Sequence, residues 1–129
     1  MDRRDLAIIK GLVAVAWADG RVSKEEHEVV DALLEAYHAT PSEAAEVRAF
    51  AAAPRTLSDI ELSELSVDDR RVLLQHAVLL TYVDGEQHDK ERELLADLIA
   101  ELHLSPLDAE RVVAAAEQRA QAMLSELAS

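Results

Sequence analysis

Cysteine is missing from this chain of 129 residues, which excludes a disulfide framework, a thiolate metal site and a cysteine nucleophile. Aromatic side chains are nearly as scarce. One tryptophan, two tyrosines and one phenylalanine leave little to line a substrate pocket. Basic residues number 13 against 26 acidic ones, and the net charge of -13 opposes binding to a phosphate backbone. Nucleic acid is therefore not an expected partner. The run from Val72 to Val83 carries no carboxylate, lysine or arginine, yet it is far shorter than the roughly 20 residues that cross a bilayer. Direct membrane insertion is not expected. The amino-terminal sequence MDRRDLAIIK lacks the long apolar segment of a secretory signal, so a cytoplasmic location is expected. No glycine-rich phosphate loop, HExxH pair or GxSxG elbow occurs, and the serines sit at helix starts. The chain reads as non-catalytic.

What is present is helical pattern. Leu6, Ile9, Val13, Ala16 and Trp17 recur at helical spacing before Asp19-Gly20, which supplies a stop. Ser23-Lys24-Glu25-Glu26 has the form of a capping box and opens a second helix with a stripe of Val29, Val30, Leu33, Leu34 and Tyr37. Thr40-Pro41 opens a third. The segment between Pro54 and Ser66 has Leu57, Ile60 and Leu65 near helical period and predicts a weak fourth helix. Ser66 caps a fifth that holds the uncharged run, which makes it the candidate central helix. Leu94, Leu95, Leu98, Ile99 and Leu102 mark a sixth, and Ser105-Pro106 starts a last one reaching about Leu127, with Leu107, Val112, Val113, Ala116, Ala120 and Leu124 as candidate core positions. The expected fold is all-α, with about seven helices forming one domain over residues 1–129.

The pattern is written twice. A shift of 65 positions, without a gap, lays Asp19-Gly20 on Asp84-Gly85, Glu26 on Glu91, Leu33 on Leu98, His38 on His103 and Pro41 on Pro106. Shared helical composition would not align Asp-Gly, histidine and proline in one register. The chain thus contains a duplicated unit of helix, acidic turn and helix, and two copies make one pseudo-symmetric domain and not a solenoid.

Asp-Gly followed after five residues by Glu, at Asp19 to Glu26 and Asp84 to Glu91, equals the second half of an EF-hand calcium loop. The first half is absent, because Val15 and Trp17, or Leu80 and Tyr82, stand where two earlier ligands would be. A hard cation needs about six oxygens. One turn would have to share its ion with the other turn or with water. The plainer alternative is structural: Asp-Gly stops a helix, and Glu26 can close a capping box with Ser23. His88 cannot cap as Ser23 does, yet Glu91 is retained. His38 and His103 fall at helix C-termini, where a cation suits the dipole, and His76 reads as a hydrogen-bonded interior histidine.

The paired turns ADGRVSKEE and VDGEQHDKE, each after an apolar helix and before E-x-x-L-L-x-x-L, resemble those of the TerB family of tellurite-resistance proteins. The likeness runs from about Leu6 to Ala116. It implies a bacterial cytoplasmic helical fold, related to the amino-terminal domain of the DjlA co-chaperones, that acts in tellurite and chemical stress. It also implies a divalent metal ion held by Asp19, Glu26, Asp84 and Glu91. Gln87 and His88 depart from the family pattern in the second turn. The alternative function is a helical protein-protein interaction module, co-chaperone-like or a scaffold, whose turns are purely structural; protein partners are expected on either reading.

Overall fold

A computed structural model describes residues 2–18, 22, 24–81 and 89–128, with the side chains of 89–91 and 123–128 outside the description. Its elements are α1 (Arg3–Ala18), α2 (Lys24–Ala36), α3 (Pro41–Ala51), two 3-10 turns (Leu57–Asp59 and Leu62–Glu64), α4 (Val67–Thr81), α5 (Asp89–Leu102) and α6 (Pro106–Ala128). Among the described residues there is no strand. The fold is all-α as expected. The duplication is visible in the element bounds: α2 and α5 start 65 residues apart, at Lys24 and Asp89, and α3 and α6 do the same at Pro41 and Pro106. Packing follows the same plan. Helix α1 packs on α2 and α3, α4 packs on α5 and α6, and α1 packs on α4 to join the halves.

Both α1 and α4 are central, and α1 is the more enclosed. Ile8, Leu12 and Val15 of α1 join the core cluster that holds Leu73, Leu74, Leu98 and Leu102. Ile9 and Val13 enter a second cluster, with Val30, Leu34 and Val47. A helix apolar on all sides has to be covered on all sides, and α1 achieves this by lying between the two clusters. At its crossing with α4 the helices come close. A Cβ on Gly11 would stand 2.7 Å from Cδ2 of Leu73, a side chain with no exposed surface. Trp17 donates its indole N–H to the Ala51 carbonyl at 2.9 Å, tying the end of α1 to the end of α3.

The expected fourth helix is two short 3-10 turns instead. In one α-helix, Ile60 and Leu62 would point about 160° apart at 3.6 residues per turn. Here Ile60 and Leu65 are extended residues, each closing its turn. Both side chains thereby reach the larger cluster, with Leu57 and Leu62 packed against it. Asp59 accepts from the Thr56 backbone N–H at 2.7 Å and fixes the first turn.

Ser23, the expected cap of α2, lies outside the described residues; the hydroxyl caps expected at Thr40, Ser66 and Ser105 form. Thr40 and Glu43 exchange hydrogen bonds at 2.8 and 3.1 Å, and so do Ser66 and Asp69 at 2.9 and 3.1 Å. Ser105 accepts from the Asp108 N–H at 3.2 Å. The helices that precede Thr40 and Ser105 end in a shared and less expected way. His38 (φ 57°) and His103 (φ 54°) are the positive-φ non-glycine residues among those described, and they are repeat equivalents. After α2, the Ala39 N–H reaches the Leu34 carbonyl at 2.9 Å and the His38 N–H reaches Glu35 at 3.0 Å, the two bonds of a Schellman turn. After α5, the His103 N–H bonds Ala100 at 3.2 Å. The histidines therefore sit at helix ends, as expected, in a left-handed conformation that glycine adopts at far lower cost. Replacing either by glycine is expected to raise stability by about 0.5 to 1 kcal/mol, after allowing for glycine's greater unfolded entropy. Urea unfolding of His38→Gly and His103→Gly should show higher midpoints at unchanged slope. A fall in either midpoint would mean that the imidazole itself holds the turn.

Candidate functional site

The expected metal ligands divide sharply. Asp19 and Asp84 lie outside the described residues, as does the Glu91 side chain, although Glu91 itself belongs to α5. Glu26 is described. It stands half-buried in the first turn of α2, one turn before Val29, which packs against the larger core cluster. A carboxylate on the inner edge of that stripe is what the spacing predicted. Val22, from the first acidic sequence, packs against the same cluster, to which α4, α5 and α6 all contribute. The start of α2 is thus turned toward the second half of the molecule.

The helix ends that border the acidic sequences can be located through contacts at the opposite end. Arg3, at the start of α1, pairs with Glu64 just before α4 at 3.4 Å. Arg4, held above its usual pKa first by a hydrogen bond to Asp2, also feels the charge of Asp69 in α4. The N-termini of α1 and α4 therefore lie together. Arg70, in the first turn of α4, donates to the Leu102 carbonyl at the end of α5 at 3.2 Å, and to Leu62 at 3.1 Å. A cation is well placed there, against orphan carbonyls at the negative end of a helix dipole. Tyr37, which follows α2, is raised in pKa by burial and then by the charge of Asp5 in α1. The last turns of α2 and α5 thus share one end of the bundle with the first turns of α1 and α4. Ala18, Lys24, Thr81 and Asp89, the other ends of these four helices, are turned away from it.

Among the described residues no group of three or more His, Asp or Glu side chains is arranged to hold a metal ion. The expected donor set is of the kind that suits a hard cation. Four carboxylates and no thiol suit calcium, magnesium or manganese better than a soft metal. The positive N-terminal end of α2 also favours Glu25 and Glu26 in its first turn without any ion. His27 is exposed on the same helix, and His88 lies outside the described residues.

Two surface concavities lie among the described residues. A cleft of about 370 Å³ lies against α1, where Lys10 pairs with Glu46 at 3.2 Å and Arg3 with Glu64. Its charges largely satisfy one another. A groove of about 260 Å³ between α4 and α6 carries Arg71, Arg111 and Arg119 and no carboxylate in its lining. Sequence reasoning did not single out these arginines. The available signal was Arg111, Ala115 and Arg119 four residues apart on one helical stripe.

His76 is interior but not hydrogen-bonded as expected: its Nε2 is buried with no hydrogen-bond partner among the described residues. Desolvation pushes its pKa below the ordinary 6.5. The neutral ring is thus favoured in the fold, so its contribution to stability is present above about pH 6.5 and is lost as pH falls through the lowered value. Wild type should lose more stability than His76→Leu between about pH 7.5 and pH 5, measured by urea unfolding. Equal losses would mean that the ring is solvated in the native state.

A helical protein built from two equivalent halves, each joining its first two helices through an acidic sequence, is the class that these features define. The family model described as "Tellurite resistance protein TerB" matches residues 5–114, and the chain belongs to that family. Neither the curated proteins nor the solved structures provide a match.

Proposed function

We propose that this TerB-family chain acts without catalysis, binding a divalent cation through its duplicated acidic turns within a response to tellurite or other chemical stress. What supports the reading is that the helix ends bordering the two turns lie at the same end of the bundle. Those ends belong to four helices whose other ends are gathered by Arg3, Arg4, Arg70 and Tyr37. Glu26 and Glu91 stand in equivalent first turns, of α2 and α5. Carboxylates brought near one another in a chain of net -13 would repel, and a bound cation would relieve that cost. The ion supplies charge compensation and a tie between the halves, and the helical body presents that state to protein partners. Family membership supports the stress context through the name the family carries. A second reading, an interaction module with purely structural turns, is favoured by the acidic first turn of α2, which needs no ion to be stabilising.

Melting in EDTA and in calcium, magnesium, manganese and zinc separates the two. An ion at a hundredfold excess over its dissociation constant adds about 2.7 kcal/mol, which raises the midpoint by roughly 5 to 10 °C in a domain of this size. The gain should vanish in Asp19→Asn with Glu26→Gln, and in Asp84→Asn with Glu91→Gln. Midpoints indifferent to every ion, with both paired variants as stable as wild type or more so, would leave the structural reading.

A further inference from the structure

The surface between α4 and α6 combines two features that the rest of the molecule keeps apart. Val67 (51% exposed) and Leu107 (57%) are the exposed large hydrophobic residues among those described; Leu107, expected in the core, stands instead in the first turn of α6 at the surface. They stand one turn before Arg71 and Arg111, on helices whose N-terminal ends are held side by side by the Arg71–Asp108 ion pair at 2.7 Å. Beyond them runs the groove, floored by Val72, Val112 and Ala116 and edged by Arg71, Arg111 and Arg119. Leu107, Arg111, Ala115 and Arg119 follow at four-residue intervals and form one stripe of α6 about 18 Å long. Arg71 is already paired, with Asp68 at 2.6 Å and with Asp108. Arg111 and Arg119 make no ion pair among the described residues, and both are exposed. A chain with twice as many acids as bases thus presents an apolar strip bordered by guanidinium groups and by no carboxylate in the groove lining.

We propose that this α4–α6 surface docks an amphipathic helix of a partner protein, one with carboxylates flanking an apolar stripe. The strip spans about three helical turns, so apolar side chains at i, i+3, i+4 and i+7 would cover Leu107, Val67 and the groove floor. Carboxylates on that helix would meet Arg111 and Arg119 in charge-assisted pairs. A small oxyanion reaches only one of these two arginines, about 12 Å apart along the helix, and leaves the apolar strip in water. A second copy of the chain would bring -13 against -13. None of the described residues that line the groove belongs to an acidic turn, so the proposal does not rest on the cation reading.

The global and the local charge predict opposite preferences, which makes the test decisive. Three fluorescein-labelled peptides of one helical length and one leucine stripe, with net charge about -6, 0 and +6, are titrated by anisotropy against the full chain. Titrations are run in EDTA and repeated with calcium. Amide shift mapping locates the bound peptide. The acidic peptide is expected to bind best in both conditions, with shifts confined to α4 and α6. Arg111→Glu with Arg119→Glu, two exposed sites, should weaken it at least tenfold, and Leu107→Ser should weaken all three peptides. Preference for the basic peptide, shifts on other helices, or unchanged affinity in the double variant would overturn the proposal. So would inorganic phosphate or duplex DNA that displaces the acidic peptide fully and reproduces its shifts.

Discussion

The close approach of α1 to α4 is the contact on which the rest of the molecule depends. Each of these helices is the hub of its own half, and neither half can cover its hub alone. Gly11 supplies the space for Leu73, a side chain with no exposed surface. Burying a leucine of this kind contributes about 1.5 to 3 kcal/mol. Ile8, Leu12 and Val15 depend on the same contact, because their cover comes from the second half. The two 3-10 turns seal the join by packing across α1.

Helix ends, more than helix faces, carry the duplicated geometry. In both halves a left-handed histidine turns the chain out of one helix, and a hydroxyl residue followed by proline starts the next two residues later. Backbone bonds within this connection satisfy carbonyls that would otherwise be orphaned. Fixing this corner in both halves fixes the relative placement of the helices, and with it the ends from which the acidic sequences leave. The strain at His38 and His103 is small beside the packing that retains it.

Charge is distributed by helix face. The chain is acidic overall, while α6 concentrates arginine beside its apolar strip. Where a cation is needed for structure it is spent at carbonyls, as with Arg70, or between helices, as with Arg71. Arg55 is used in this way too, stacked 4.1 Å from the Phe50 ring centre and donating to the Phe50 carbonyl. Arg111 and Arg119 have no such structural use among the described residues.

The sequence by itself determined the all-helical class, the repeat register, the hydroxyl caps at Thr40, Ser66 and Ser105, and most of the residues that avoid water along each helix, Leu107 being an exception. All of these are local: a 3.6-residue period, a capping pair or a proline acts over a few neighbours. Glu26 was legible for the same reason, as a carboxylate on the edge of an apolar stripe. What covers an apolar face is not local. The uncharged run identified α4 as a hub, but the greater enclosure of α1 depends on having one half of the molecule on each side. Leu57, Ile60 and Leu65 look helical in sequence, yet the core offered them one direction only, and an α-helix would have pointed Leu62 away from it. The left-handed turns at His38 and His103 are imposed by the placement of the following helices, since neither residue prefers that conformation. The arginine-edged groove exists because α4 and α6 lie side by side, and a residue's spacing along one helix does not say which second helix will stand beside it.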